Sequence, residues 1–306
     1  GTARVHGFET ARLRTPPHHR LEDWALPAEV LGRRLALLHS PDVVVPRGWR
    51  GRAVATVHDV DFLRHPDRLT AESARYYAGV HRSVQRADRV IVVSEHTRGE
   101  LLRLTRVEAD RVRVVPNAVA PRFFAPVEER RKRQVLERCR LARPYVLYVS
   151  TIEPRKNVGT LLRAFRRLLD ERRGVDLALV GADGWLSAAV YGLADELRLG
   201  TSARFLGFVP DEDLPALYAG AAVFAHPAWD EGFGLTPLEA MACGVPVVAA
   251  EAGALPEVLG PAAVFEPPDD PARWARALGR VLDEPALGRQ LSEQGRARAS
   301  AFPIAR

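Results

Sequence analysis

Lysine and asparagine are almost missing from this chain of 306 residues. Only Lys132 and Lys156 accompany 42 arginines among the 44 basic residues, and the asparagines are Asn117 and Asn157. Where composition runs so hard against a residue type, its survival points to a chemical need, and three of these four stand in candidate site loops. Cysteine is scarce too. Cys139 and Cys243 are too few for a disulfide framework, which excludes a stapled secreted scaffold and points to a reducing cytosol. No apolar run approaches the roughly 18 to 20 residues that a spanning helix needs. The opening Gly-Thr-Ala-Arg-Val-His lacks the apolar centre of a signal peptide. Met241 is the single methionine, so a processed chain or a fragment is expected. Internal repeats and low-complexity tracts are absent as well.

What is present is enough chain for two apolar cores, hence two domains. Charge is divided unevenly between them. Residues 1–143 carry 28 Lys and Arg against 17 Asp and Glu, net +11, while residues 144–306 carry 16 against 21, net −5. The first half should face an acidic partner such as a lipid pyrophosphate or an anionic membrane surface. The competing explanation is a coding bias toward arginine. Nucleic acid is not expected, because no aromatic or glycine pattern of a nucleic-acid module accompanies the basic residues.

Valine-rich runs at 42–46, 53–58, 89–94 and 111–115 alternate with helical segments at 71–86 and 95–104. An apolar helical stretch near 30–38 precedes them, after a poorly periodic start containing His18 and His19. The segment 117–143, with Pro121 and Pro126 and then a basic stretch, predicts a linker and an exposed helix. A cleaner alternation follows. Strands are predicted at 145–150, 176–181, 203–209, 222–226, 246–250 and 263–266, with amphipathic helices over 158–170 and around Trp274. The expected fold class is α/β, two tandem Rossmann-like domains over 1–143 and 144–306, with ligands beyond the carboxyl ends of the strands.

The most informative stretch is 226–250. Gly232 and Gly234 permit close backbone approach, and Thr236-Pro237-Leu238-Glu239 reads as a capping box that starts a helix near Thr236. The free amides of such a helix start suit a phosphate. Glu231 and Glu239 flank the loop with seven residues between them. The plain alternative is a solvated loop acid and a helix cap. The whole string Glu-Gly-Phe-Gly-Leu-Thr-Pro-Leu-Glu-Ala-Met-Ala-Cys-Gly-Val-Pro-Val-Val resembles the signature of retaining nucleotide-sugar glycosyltransferases of the GT-B fold, the large family 4.

That resemblance, which runs from about Thr56 onward, implies roles. Glu231 would lie against the transferred sugar; the backbone of Gly232, Phe233, Gly234, Leu235 and Thr236 would bind sugar hydroxyls and phosphate; Glu239 would hold the ribose. After the strand at 145–150, Ser-Thr-Ile-Glu-Pro-Arg-Lys-Asn places Thr151, Arg155, Lys156 and Asn157 at the donor, with Lys156 matching the family lysine. Arg155 stands in for an arginine that the family has where this chain has Thr151. Two cations there would neutralise the departing diphosphate. His58, at a strand end, matches a family histidine near the sugar 6-hydroxyl. Ser94-Glu95-His96-Thr97 and Pro116-Asn117-Ala118-Val119 resemble family cleft loops, with Ala118 where glycine is usual, and Ser94 also reads as a helix cap.

Asp59-Val60-Asp61 resembles a metal-binding Asp-x-Asp of another glycosyltransferase fold, but with Arg155 and Lys156 available no metal or cofactor is expected. The family's first strand, glycine loop and helix are not found, so the first domain reads as truncated at its N-terminus. The implied function is a retaining hexosyltransferase at the cytosolic membrane face. It would use a nucleoside-diphosphate sugar, GDP-mannose first, and a glycan or glycolipid acceptor of a surface polysaccharide. The alternatives are a nucleotide-sugar 2-epimerase of the same fold and a non-catalytic sugar-nucleotide-binding remnant.

Overall fold

In the computed structural model, residues 3–5, 8–10, 14, 22–31, 35–65, 74, 77, 79–171 and 174–304 are described. The stretch around His18 and His19 and the first part of the helix predicted over 71–86 lie outside them. The chain packs as two units, Gly1–Val115 and Pro116–Arg306. The segment 116–143, assigned to the first domain from sequence, therefore packs with the second.

In the first unit β1 (Ala3–Val5) and β2 (Phe8–Thr10) form an antiparallel pair. A separate parallel sheet contains β3 (Leu37–Ser40), β4 (Arg52–Val57), β5 (Arg89–Val92) and β6 (Val112–Val114) in that order. Two predictions need correction here. The apolar stretch near 30–38 is no continuous helix, because the helix Glu22–Leu31 ends before β3 begins. The run 42–46 is no strand. Val43 and Val45 are buried in the core of this unit from a loop, so their apolar character reports burial rather than backbone pairing. The helix Glu95–Leu104 forms where expected, and the Ser94 side chain caps it by accepting from the Thr97 amide.

The second unit holds six parallel strands, β7 (Tyr145–Val149), β8 (Asp176–Val180), β9 (Ala203–Gly207), β10 (Val223–His226), β11 (Val247–Ala250) and β12 (Ala263–Glu266). Their order across the sheet is β12-β11-β10-β7-β8-β9. The chain starts in the middle, builds outward to β9, returns, and builds outward again from β10 to β12. Between β7 and β10 the connections diverge, and their loops open a crevice at the carboxyl edge. Every residue of β7, β8, β10 and β11 is buried, as expected for strands covered on both faces. The helix Val158–Glu171 buries Leu161, Leu162, Phe165 and Leu168 and packs on the helix Pro271–Asp283, which buries Trp274 and Leu278.

The basic helix Glu129–Arg138 is not a detached arm. It buries Val135 and packs against the helix Leu214–Gly220, and Arg131 and Arg138 both pair with the buried Asp213. Upstream, the Val119 amide bonds the Phe302 carbonyl at 2.9 Å, tying residues before β7 to the end of the second unit.

Candidate functional site

The loops after β7 and β10 meet at the switch in strand order. In the first, Pro154–Lys156 form one 3-10 turn, and Asn157 ends it in a left-handed conformation (φ 53°). Asn157 Nδ2 donates to the carbonyls of Pro227 at 3.0 Å and Pro268 at 2.6 Å. It thus braces the loop against two distant segments. The Trp229 amide donates to the Arg155 carbonyl at 2.9 Å, closing the two loops on each other.

This closure brings Lys156 to Glu231. Lys156 Nζ bonds Glu231 Oε1 at 2.5 Å, His226 Nε2 lies 2.8 Å from the same oxygen, and Arg155 Nη1 is 3.8 Å from Oε2. Lys156, His226 and Glu231 are all buried. Burial alone would push the Glu231 carboxyl upward; the Lys156 charge, the His226 contact and Arg155 together hold it well below the usual carboxylate range. Glu231 is therefore an ionised acceptor kept inside the protein. Glu153 lies beside it, its carboxyl pushed up by burial against the lowering effect of Arg155, whose Nη2 is 3.3 Å away. Thr151 is exposed, and its carbonyl accepts the Tyr148 hydroxyl at 3.1 Å.

The loop 231–235 is shaped by glycine. Gly234 has φ 94°, and a Cβ there would sit 2.6 Å from Leu255 Cδ2. Gly232 and Phe233 are buried, and the Phe233 ring packs edge-on to Phe302 rather than opening toward a ligand. The helix runs Leu235–Ala242 with Gly234 as its N-cap and no side-chain cap. The predicted capping box is thus absent. Thr236 lies inside the first turn, and Glu239 instead accepts the Tyr218 hydroxyl at 3.1 Å on Oε2. Leu235 remains exposed and Thr236 half-buried.

Burial pushes the Glu239 carboxyl up to about 7, opposed by Tyr218 and Arg122 and assisted by Asp211. A carboxyl raised from 4.5 to about 7 on folding is stabilised in its protonated form. That contribution is complete below pH 4.5 and is lost as pH rises through 7. Glu239→Gln keeps the Tyr218 contact without the charge. It is expected to stabilise the protein by about 2 kcal/mol at pH 8 and to have little effect at pH 4.5, measured by denaturant melts.

His58 follows β4 in the first unit, where it is exposed and its Nε2 lies 2.9 Å from the Pro41 carbonyl. Asp59 Oδ1 accepts from the Asp61 amide at 3.3 Å, and Asp61 is buried. No group of three or more His, Cys, Asp or Glu side chains arranged for a metal ion occurs among the described residues. No helix among them is long and apolar enough to cross a membrane. Sequence reasoning missed His226 and Tyr218. His226 stands at the head of the 226–250 stretch, at the end of an apolar run and five residues before Glu231, and that position was the available signal.

The fold and these loops define the class, a GT-B-like glycosyltransferase. Residues 131–298 match Glycosyl transferases group 1, and residues 2–123 match Glycosyltransferase Family 4. The chain is 34% identical over 309 residues to the O-antigen chain mannosyltransferase B of Escherichia coli, covering 97% of this chain and 80% of that protein. It is also 34% identical over 272 residues to the D-inositol 3-phosphate glycosyltransferase of Salinispora arenicola, covering 83% of this chain and 61% of that one. Sucrose-phosphate synthase from Thermosynechococcus elongatus has a similar structure, with a TM-score of 0.81 at 26% identity over 98% of this chain and 81% of that one. Anabaena HepE in complex with UDP and glucose gives 0.77 at 21% identity, over 94% and 80%. The chain belongs to the glycosyl transferases group 1 family.

Proposed function

We propose that the protein transfers a hexose, mannose from GDP-mannose, to a glycan or glycolipid acceptor in surface-polysaccharide synthesis, with retention of anomeric configuration. The observation that carries this reading is the buried Lys156–Glu231 contact of 2.5 Å at the switch point of a six-stranded parallel sheet. Similarity to an O-antigen mannosyltransferase supports the choice of sugar.

In this reading Lys156 and Arg155 neutralise the charge that grows on the diphosphate as the sugar bond breaks. The amides of the Gly232–Thr236 loop orient donor phosphate and sugar, Glu239 accepts from the vicinal ribose hydroxyls, and the ionised Glu231 accepts from hydroxyls of the transferred sugar. The departing phosphate takes the proton of the acceptor hydroxyl on the same face. Because two side-chain cations serve the diphosphate, transfer proceeds without a metal ion. The basic first half of the sequence suits an anionic, lipid-linked acceptor at a membrane surface.

A thermal-shift panel of GDP- and UDP-sugars tests the donor, since a ligand stabilises the fold according to its concentration over its dissociation constant. GDP-mannose is expected to give the largest shift, and transfer should be unchanged by EDTA. A UDP-sugar shifting the melt more than GDP-mannose, or a rate abolished by EDTA, would reject this assignment.

A further inference from the structure

Two donors from different strand ends meet on one oxygen of Glu231, and they differ in what else they can do. Lys156 ends a long flexible stem and carries three donor hydrogens. His226 is 1% exposed, lies nearly parallel to the Phe224 ring at an interplanar angle of 13°, and leads directly out of β10. A carboxylate oxygen only accepts, so Nε2 of His226 carries the proton and donates. Its Nδ1 is buried with no hydrogen-bond partner among the described residues. Among the described residues, the contact with Glu231 is therefore the one polar contact of the ring.

In the proposed scheme a diphosphate competes for Lys156. Whether the ammonium turns toward the phosphate or is shared with it, less of its charge remains on Glu231. A buried carboxylate whose partner is drawn away is costly unless another donor remains. On the reading of Lys156 as the diphosphate ligand, we propose that His226 is a positioning residue that keeps Glu231 paired and oriented when a diphosphate draws on Lys156. The consequence is unusual for a side chain whose only polar partner is Glu231. Removing His226 should weaken diphosphate binding, and should do so only while Glu231 carries its charge.

The probes are GDP and UDP, which lack the sugar that Glu231 would face, titrated by calorimetry into the full chain. Lys156→Ala should weaken the better of the two by at least tenfold. His226→Phe, which keeps an aromatic ring on Phe224, should weaken it by about tenfold, the loss of one charge-assisted hydrogen bond. His226→Gln, whose longer side chain carries an N–H donor out to the position of Nε2, should bind within about threefold of wild type. In a Glu231→Gln background His226→Phe should have no effect, because no buried charge is left unpaired. If His226→Phe does not melt cooperatively, His226→Leu takes its place in both backgrounds. An equal loss in both backgrounds would mean that His226 only packs, and would overturn the proposal. So would wild-type affinity in His226→Phe alongside weakened Lys156→Ala. Wild-type affinity in Lys156→Ala, or no binding of either nucleotide to the unmodified protein, would instead overturn the diphosphate reading beneath it.

Discussion

Lys156→Ala is expected to lower sugar transfer by about 10²- to 10³-fold, the scale of losing one preorganised donor to developing charge. It should also destabilise the second unit by about 3 kcal/mol or more at neutral pH, because it strips the nearest cation from a buried carboxylate. Lys156 Nζ stands 2.5 Å from Glu231 Oε1, whereas Arg155 Nη1 is 3.8 Å from Oε2. The pH dependence distinguishes this from a generic packing loss. In the unmodified protein the Glu231 carboxyl is held well below 4.5, so its contribution is complete above pH 4.5 and fades as pH falls further. Without Lys156 the opposing effect of burial gains weight and the carboxyl is expected to rise. The mutant should therefore recover stability relative to wild type on acidification. Urea melts at several pH values measure this. A stability difference that is constant with pH, or a transfer rate within threefold of wild type, would refute the assignment. The other lysine is a natural control. Lys132 pairs at 2.7 Å with the exposed Glu129, so Lys132→Ala should change stability by less than about 1 kcal/mol.

The second large effect is expected from a residue that touches no substrate in the proposed scheme. Gly253, in the turn after β11, has φ 57°, and a Cβ there would lie 2.5 Å from Asp230 Oδ1 and 2.6 Å from both the Glu231 amide nitrogen and carbonyl oxygen. Two of these obstacles are backbone atoms, so no rotamer change removes the clash. The next residue, Ala254, donates its amide to the Glu231 carbonyl at 2.9 Å, so the turn is the floor on which residues 230–231 rest. Gly253→Ala must either displace residues 230–231 or move the turn. Combining left-handed strain with the displacement, it should cost about 2–4 kcal/mol. A domain of this size would then melt about 5–15 °C lower. Donor transfer should fall by about 10²-fold, because a shift near 1 Å misplaces Glu231 relative to the sugar. Gly279→Ala is the matched comparison, since its Cβ would meet only Leu168 Cδ1 at an ordinary 3.6 Å. Scanning calorimetry of the pair, with rates measured well below both melts, decides the matter. Equal behaviour of the two variants would show that the turn does not govern the loop.

Much of this architecture was legible in the linear sequence, and for identifiable reasons. The runs at 145–149, 176–180 and 247–250 were found because strands of a covered parallel sheet leave little room for polar residues. Ser94 was readable as a cap because capping is local, spanning three residues to Thr97. Local reading failed where a distant partner wins. Val43 and Val45 look like a strand but line a core from a loop. Thr236 and Glu239 have capping-box spacing, yet Gly234 starts the helix and Glu239 turns to Tyr218. A hydroxyl in a buried helix offered that carboxyl a better partner than a helix start already closed by glycine.

The sequence by itself determined the alternation of strands and helices, the glycine loop of 231–235, and the survival of one lysine and one asparagine beside it. Tertiary structure decided what those residues do. Lys156 and Glu231 are 75 positions apart, and only the strand order, with β7 and β10 adjacent, brings their loops together. Asn157 was placed at the donor beside Lys156 by resemblance, and folding adds a bracing role through its Nδ2, which donates to the carbonyls of Pro227 and Pro268. His226 carried no signal alone, and Gly253 lies outside the motif altogether. The physical reason is common to all four. A charge kept ionised in a protein interior must be paired, and the groups that pair and support it are set by which strand ends become neighbours, not by which residues are neighbours in the chain.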